Sequence, residues 1–325
     1  MIVITGAAGF IASVIAARLN KDNYNDLILV DDFSRQDRER NYSELKYTQL
    51  VDRDQFMQWF DDNHSQVEFV IHMGARSATT EFDYSVLEKL NLNYTKDIWK
   101  RCVEYGIGLI YASSAATYGD GTLGYDDNHD LPYQLQPLNP YGVSKNEFDK
   151  WALKEEKQPY FWAGLKFFNV YGPNEYHKGK MASVILHSFN QITKTGGMKL
   201  FRSHREGIAD GHQSRDFVYV KDIAEVILYM MLTRKGSGLY NVGTGKARTF
   251  LDLTKATFKA MGVEENISFV DTPVEIRDKY QYFTEANIQK LRAIGYDKPM
   301  TELEDGVADY VKNYIMQNRI YNGKN

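Results

Sequence analysis

Tyr141 and Lys145 stand four residues apart in Asn139-Pro140-Tyr141-Gly142-Val143-Ser144-Lys145, a spacing that on a helix puts both side chains on one face. An ammonium beside a phenol favours the phenolate. Lys145 is therefore expected to draw the Tyr141 pKa down from its ordinary value of about 10 and make the oxygen a base at working pH. Ser114, in Tyr111-Ala112-Ser113-Ser114-Ala115-Ala116-Thr117-Tyr118-Gly119, falls where a strand should end. Open α/β sheets bind ligands at the carboxyl ends of strands, so its hydroxyl is placed to hold a substrate oxygen. A Tyr-x-x-x-Lys pair alone carries little weight among 23 tyrosines; its meaning comes from what precedes it. Thr5-Gly6-Ala7-Ala8-Gly9-Phe10-Ile11-Ala12 follows the first apolar run and opens a helix-like stretch. Gly6 and Gly9 allow a tight turn in which backbone N–H groups approach a pyrophosphate, with the positive end of the helix facing it. The second apolar run ends in Asp31-Asp32. An acid there can accept from the adenine ribose, while Arg35 and Arg38 just beyond suit a 2′-phosphate, so the signals for NAD and NADP are mixed.

These residues need a scaffold, and the pattern of apolar runs supplies one. Ile2–Ile4, Leu27–Val30, Val67–His72, Leu109–Ala112 and Gly164–Asn169 read as buried strands separated mostly by amphipathic stretches, which predicts a parallel sheet covered by helices on both faces. The fold class is thus α/β, a Rossmann-type doubly wound sheet with a smaller, interleaved C-terminal substrate lobe. Residues 1–169 form the dinucleotide-binding part, with some of 216–245 returning to it, and 170–325 form mainly the substrate lobe. In that lobe Met181–Thr193 reads as helix, Arg202–Ser214 as a long loop, Asp216–Val220 and Leu239–Val242 as strands, and Tyr321–Asn325 as a frayed tail.

Composition narrows the partners. A net charge of −4 argues against nucleic acid. A single cysteine, Cys102, excludes an intrachain disulfide and a thiolate-rich metal site, so no metal is expected. The first residues lack a basic leader and no apolar run approaches the roughly 20 residues that span a bilayer. A cytoplasmic protein with no membrane partner is expected.

In the order fingerprint, serine-bearing strand end, Tyr-Lys helix, the chain resembles the extended short-chain dehydrogenase/reductase family. Ser113–Gly119 as SSAATYG, Phe168–Pro173 as FNVYGP, Arg215–Val220 as RDFVYV and Asn241–Gly245 as NVGTG strengthen the likeness. His177-Lys178-Gly179 followed by Met181-Ala182-Ser183, together with Gly295–Pro299 as GYDKP, resembles the branch that acts on ADP-heptoses. That resemblance implies inversion at C6″ by transient oxidation and re-reduction with bound NADP (or NAD), serving lipopolysaccharide core precursor synthesis. It implies a catalytic set of Tyr141, Lys145 and Ser114, with Lys178 as a second acid/base group. Cofactor contacts are implied at Gly6, Gly9, Phe10, Ile11, Asp31, Asp32, Arg38, Arg53, Asn91, Lys145, Val170 and Lys178. Substrate contacts are implied at Ser114, Asn169, His187, Phe201, Arg215 and Tyr280, in a homo-oligomer, a pentamer. The chain departs from the family in carrying Ala12 where a glycine is usual, Lys180 where a small residue is usual, and a longer Arg202–Ser214 loop. Two rivals stand beside this reading. One is another nucleotide-sugar enzyme of the family, such as a UDP-sugar 4-epimerase or a dehydratase, although dehydratases carry Asp-Glu where Ala115-Ala116 follow Ser114. The other is a catalytically silent cofactor-binding protein, against which the complete Ser114, Tyr141, Lys145 set argues.

Overall fold

The computed structural model describes residues 1–79, 81–277 and 281–324. Seven parallel strands form the main sheet: β1 (Ile2–Thr5), β2 (Leu27–Asp31), β3 (Gln49–Asp52), β4 (Phe69–His72), β5 (Gly108–Ser114), β6 (Trp162–Phe167) and β10 (Gly238–Val242). Their spatial order is β10-β6-β5-β4-β1-β2-β3. From β1 the chain winds outward through β2 and β3, then returns to the other side of β1 at β4. The crevice at such a reversal is where open α/β sheets take up ligands.

Alternation of side chains across each strand builds two cores. Ile2, Ile4, Leu27 and Leu29 face the layer of the Phe10–Lys21 and Val220–Thr233 helices. Val3, Ile28 and Val30 face the other layer, with Phe56, Phe60, Trp99 and Phe148. Burial on both sides explains why these strands read as continuous apolar runs. Two small sheets complete the molecule: β7 (Asn169–Tyr171), β9 (Ser214–Tyr219) and β11 (Ala247–Thr249), and the parallel pair β8 (Met198–Phe201) and β12 (Ile267–Val270). β10 lies beside β6 at the edge of the main sheet, so the chain enters the smaller sheets and comes back.

Several elements differ from the sequence reading. β3 was not expected, because Gln49-Leu50-Val51-Asp52 sits at the sheet edge and only Val51 of it is buried. β4 starts at Phe69 rather than Val67, and 164–169 is split into β6 and β7 at Phe168, whose N–H makes the last rung to β10 by donating to the Val242 carbonyl. The helix after Met181 starts at Val184, capped by the Ser183 side chain, and Val220 opens a helix instead of ending a strand. Tyr321 is buried: its N–H donates to Asn174 Oδ1 at 2.8 Å, and Asn174 Nδ2 donates back to its carbonyl. The tail is therefore tied down at its start.

Candidate active site

One cleft of about 1460 Å³ opens at the carboxyl ends of the main-sheet strands and collects most of the predicted residues. At its floor Gly6 has φ +68°, and a Cβ there would lie 2.7 Å from Gly74 Cα, so the turns after β1 and β4 touch only because both carry glycine. Gly9 starts the Phe10–Lys21 helix and no side chain caps it, which leaves the first-turn N–H groups of a helix facing the cleft, lined here by Gly9, Phe10, Ile11 and Ala12. Ala12 is buried, as the packing of helix on sheet requires.

Asp31 and Asp32 end β2 at the same mouth. Asp31 is buried, and its carboxylate accepts from the N–H groups of Ala8 (3.0 Å) and Asp32 (2.7 Å), with Arg38 at 3.5 Å. Burial nevertheless pushes its pKa up. Asp32 accepts from the Ser34 hydroxyl and N–H, which hold its pKa down. Arg35, Arg38 and Arg53 line this end, and Arg38 Nε is buried without a hydrogen-bond partner. An orphaned guanidinium donor, an uncapped helix start and a glycine cradle fit a phosphate-bearing nucleotide.

On the next wall the Pro140–Lys154 helix begins where Asn139 Oδ1 accepts from Gly142 N–H at 2.9 Å and Pro140 occupies the first turn. Such a cap contributes about 1 kcal/mol. Tyr141 and Lys145 face the cleft from this helix, and Ser114 reaches it as the last residue of β5. The Tyr141 phenol and the Ser114 hydroxyl line the same cleft, and Ser114 lies near enough to favour the phenolate. The expectation that Lys145 lowers the Tyr141 pKa is corrected: burial raises it, the neighbouring Ser114 hydroxyl opposes that, and the Lys145 ammonium donates to the Ala112 carbonyl at 2.8 Å. Burial draws Lys145 itself down to about 8, against the raising effect of Asp149.

A third wall carries Lys178 on the short 3₁₀ segment Tyr176–Met181. Its ammonium lies 5.1 Å from the centre of the Phe10 ring, and burial lowers its pKa while the Glu175 carboxylate opposes the fall. Lys180, by contrast, is exposed. The segment is clamped at its ends: buried Glu175 accepts from both the N–H (2.6 Å) and hydroxyl (2.5 Å) of Ser183. His177, which sequence reasoning did not single out, also faces the cleft. Burial and the nearby Arg38 bring it to about 4, so its ring is neutral at physiological pH.

Val170, Asn169 and Arg215 also line the cleft. Arg215 NH1 donates to the Ser214 carbonyl, and its guanidinium lies 5.6 Å from the Phe250 ring. Asp216, next to it in the chain, accepts from Thr244, Gly245 and Ala286. Three predicted positions are not brought to the cleft. Asn91 is buried and spends its amide on Arg76 N–H, the Arg76 carbonyl and Ser144, bracing the loop after β4. His187 is exposed on the Val184–Thr195 helix, and Phe201 lies in β8, outside the lining. Tyr280 lies outside the described residues. The Arg202–Ser214 loop stays off the cleft too, its buried Gln213 donating to the carbonyls of Phe201 and Arg202. The residues that sequence reasoning missed, chiefly Met73–Thr79 after β4, follow a strand that ends at the reversal point and were open to the same rule that found Ser114.

Residues 2–243 match the NAD dependent epimerase/dehydratase family. The chain is 48% identical over 332 residues to a protein of Fusobacterium nucleatum named ADP-L-glycero-D-manno-heptose-6-epimerase, covering 99% of this chain and 100% of that one. It is 48% identical to the protein of the same name from Nitratidesulfovibrio vulgaris, with 97% and 98% covered. The crystal structure of the Helicobacter pylori protein of that name superposes with a TM-score of 0.81 at 26% identity, covering 96% of this chain and 95% of that one.

Proposed function

Given that the chain belongs to the NAD dependent epimerase/dehydratase family, we propose that it is an isomerase converting ADP-D-glycero-D-manno-heptose to ADP-L-glycero-D-manno-heptose by inversion at C6″. The observation that carries the reading is that two protonatable groups, Tyr141 and Lys178, line one cleft from separate elements, in a chain 48% identical along nearly its whole length to proteins named for this reaction. C6″ of a heptose is a secondary carbinol, so its oxidation product is a ketone with two open faces. A nicotinamide bound beside it supplies the chemistry of taking up and returning hydride, with no net redox change. The protein's part is the proton. One of Tyr141 and Lys178 removes it from O6″ as the carbonyl forms, and the other returns it once the carbonyl has turned its opposite face. Ser114, which lines the cleft beside Tyr141, orients the oxygen. Lys178 suits the second role because burial lowers its pKa, and a neutral amine is needed to accept a proton.

The dinucleotide is assigned to Gly6, Gly9, Phe10, Ile11, Asp31, Asp32, Arg38, Arg53, Lys145 and Val170. Three arginines at the adenosine end favour NADP, whose 2′-phosphate they suit. Asn169 and Arg215 are assigned to substrate. Asn91 acts in this reading by bracing the loop after β4. Among the described residues no helix is long and apolar enough to cross a membrane; a cytoplasmic homo-pentamer is proposed from the resemblance, with a place in the supply of lipopolysaccharide core precursors. Light scattering is expected to return five copies of the 37.5 kDa chain.

The test incubates the purified protein with ADP-D-glycero-D-manno-heptose and no added cofactor, and reads the C6″ configuration by NMR. Conversion to the L-glycero epimer is expected, and mass spectrometry of the heat-released nucleotide should show NADP. Turnover of UDP-galactose instead would move the chain to the 4-epimerase reading.

A further inference from the structure

Beneath the proposed acid/base groups lies an ion pair that the reaction so far leaves unused. Asp149 is two turns along the helix from Tyr141 and one from Lys145, so the three side chains follow one stripe. It is fully buried, and so is its partner Lys166 on β6, with Lys166 Nζ 2.7 Å from Asp149 Oδ2. The carboxylate also accepts from the Ser113 hydroxyl at 2.7 Å and the Tyr111 phenol at 3.0 Å, both on β5. Lys166 donates further to Thr117 Oγ1 at 2.9 Å, and Thr117 donates to the Ser114 carbonyl at 2.8 Å. Hydrogen bonds therefore run without a break from the helix that bears Tyr141 to the strand end that bears Ser114. Taking two charges out of water is costly, and apolar replacements of buried pairs are often neutral or stabilising, so stability alone does not account for this one.

We propose that Asp149, paired with Lys166, is a positioning residue of the reaction, setting the Ser114 strand end against the Tyr141–Lys145 helix. The proposal rests on the assignment of Tyr141 and Lys145 above. Its second effect is electrostatic. The groups facing Lys145 and Asp149 are Tyr141 on their own helix, His72 on β4, Tyr111 and Ser113 on β5, Lys166 on β6, Tyr118 after β5, and His129. Asp149 itself raises the pKa of Lys145 against its burial. Loss of the carboxylate lowers that pKa further, so Lys145 sheds its charge at a lower pH.

The experiment measures kcat, KM and the pH profile of kcat/KM for ADP-D-glycero-D-manno-heptose, each rate normalised to folded, cofactor-loaded protein. Asp149→Asn is expected to lower kcat about tenfold or more with KM changed less than about twofold, and to move the alkaline limb to lower pH. Asp149→Asn with Lys166→Gln removes both charges and so spares the fold an unpaired buried lysine. It is expected to regain thermal stability but to keep the low kcat and the shifted limb. Either variant with wild-type kcat and limb, and only a lower melting temperature, overturns the proposal. If neither folds, Ser113→Ala removes one hydrogen bond to Asp149 and is expected to lower kcat about threefold at constant KM; unchanged kcat overturns the role. A wild-type protein without turnover overturns the reaction itself, which is distinguishable from failure of the variants alone.

Discussion

The two walls that carry Tyr141 and Lys178 are built by different means. Tyr141 sits at the start of a 15-residue helix capped by Asn139 and tied through Asp149 to β5 and β6. Lys178 sits on a six-residue 3₁₀ segment with Gly179 at φ +53° inside it, held by single side-chain contacts: Glu175 grips Ser183, Asn41 reaches the Asn174 carbonyl and the His177 ring, and Tyr176 donates to the Arg319 carbonyl. One group is thus placed by a regular element packed on the sheet, the other by a clamped loop. The fixed wall sets Tyr141 on a helix and Ser114 at a strand end of one sheet, two positions that regular elements hold in place. The loop wall brings its group to the same cleft from a separate, less regular element, an arrangement that an inversion between two carbonyl faces would need and a simple dehydrogenation would not.

Substitutions probe that contrast. Tyr141→Phe keeps the ring and removes the ionisable oxygen, and is expected to cost about 10³-fold in turnover with fold and bound nucleotide unchanged, read by steady-state kinetics and nucleotide release. Wild-type turnover in this variant would end the assignment. Lys178→Met is expected to lose about 10²-fold with the nucleotide retained; a variant as active as wild type would return Lys178 to the class of packed, uninvolved lysines. Glu175→Gln removes the charge beside Lys178 and weakens the grip on Ser183. It should lower kcat about tenfold and raise KM, because the loop loosens while the Tyr141 wall stays as it is; an unchanged KM would show that the clamp does not place the loop. The smallest effect is expected at His187, exposed and off the cleft: His187→Ala should change kcat/KM less than about threefold. A loss as large as that of Lys178→Met would mean that the Val184–Thr195 helix moves onto substrate.

The same contrast separates what the sequence discloses from what it hides. Tyr141 and Lys145 are legible because a helix repeats locally and an i,i+4 spacing is a local fact. Ser114 and Gly6 are legible because each follows a continuous apolar run, the signature of a doubly buried strand. Lys178 has no such periodicity around it, and resemblance alone marked it. The partners of Lys145 were hidden as well: its hydrogen bond goes to the Ala112 carbonyl, 33 residues back in the chain, and Asp149 meets Lys166 only because β6 lies beside β5. Asn91 turned inward for a similar reason, since its two amide atoms find Arg76 and Ser144 across separate elements. β3 escaped notice because an edge strand needs few apolar residues.

The central claim, that this cleft inverts C6″ by removing and returning the same hydride while Tyr141 and Lys178 handle the proton, is tested most directly by isotope. ADP-D-glycero-D-manno-heptose deuterated at C6″ is incubated with the protein in ordinary water, and the product is read by NMR and mass spectrometry. The account expects the L-glycero epimer with the deuterium retained at C6″, because hydride held within the closed cycle does not exchange with solvent. A product whose C6″ deuterium has been replaced by solvent hydrogen, or a heptose recovered with its configuration unchanged, would contradict it.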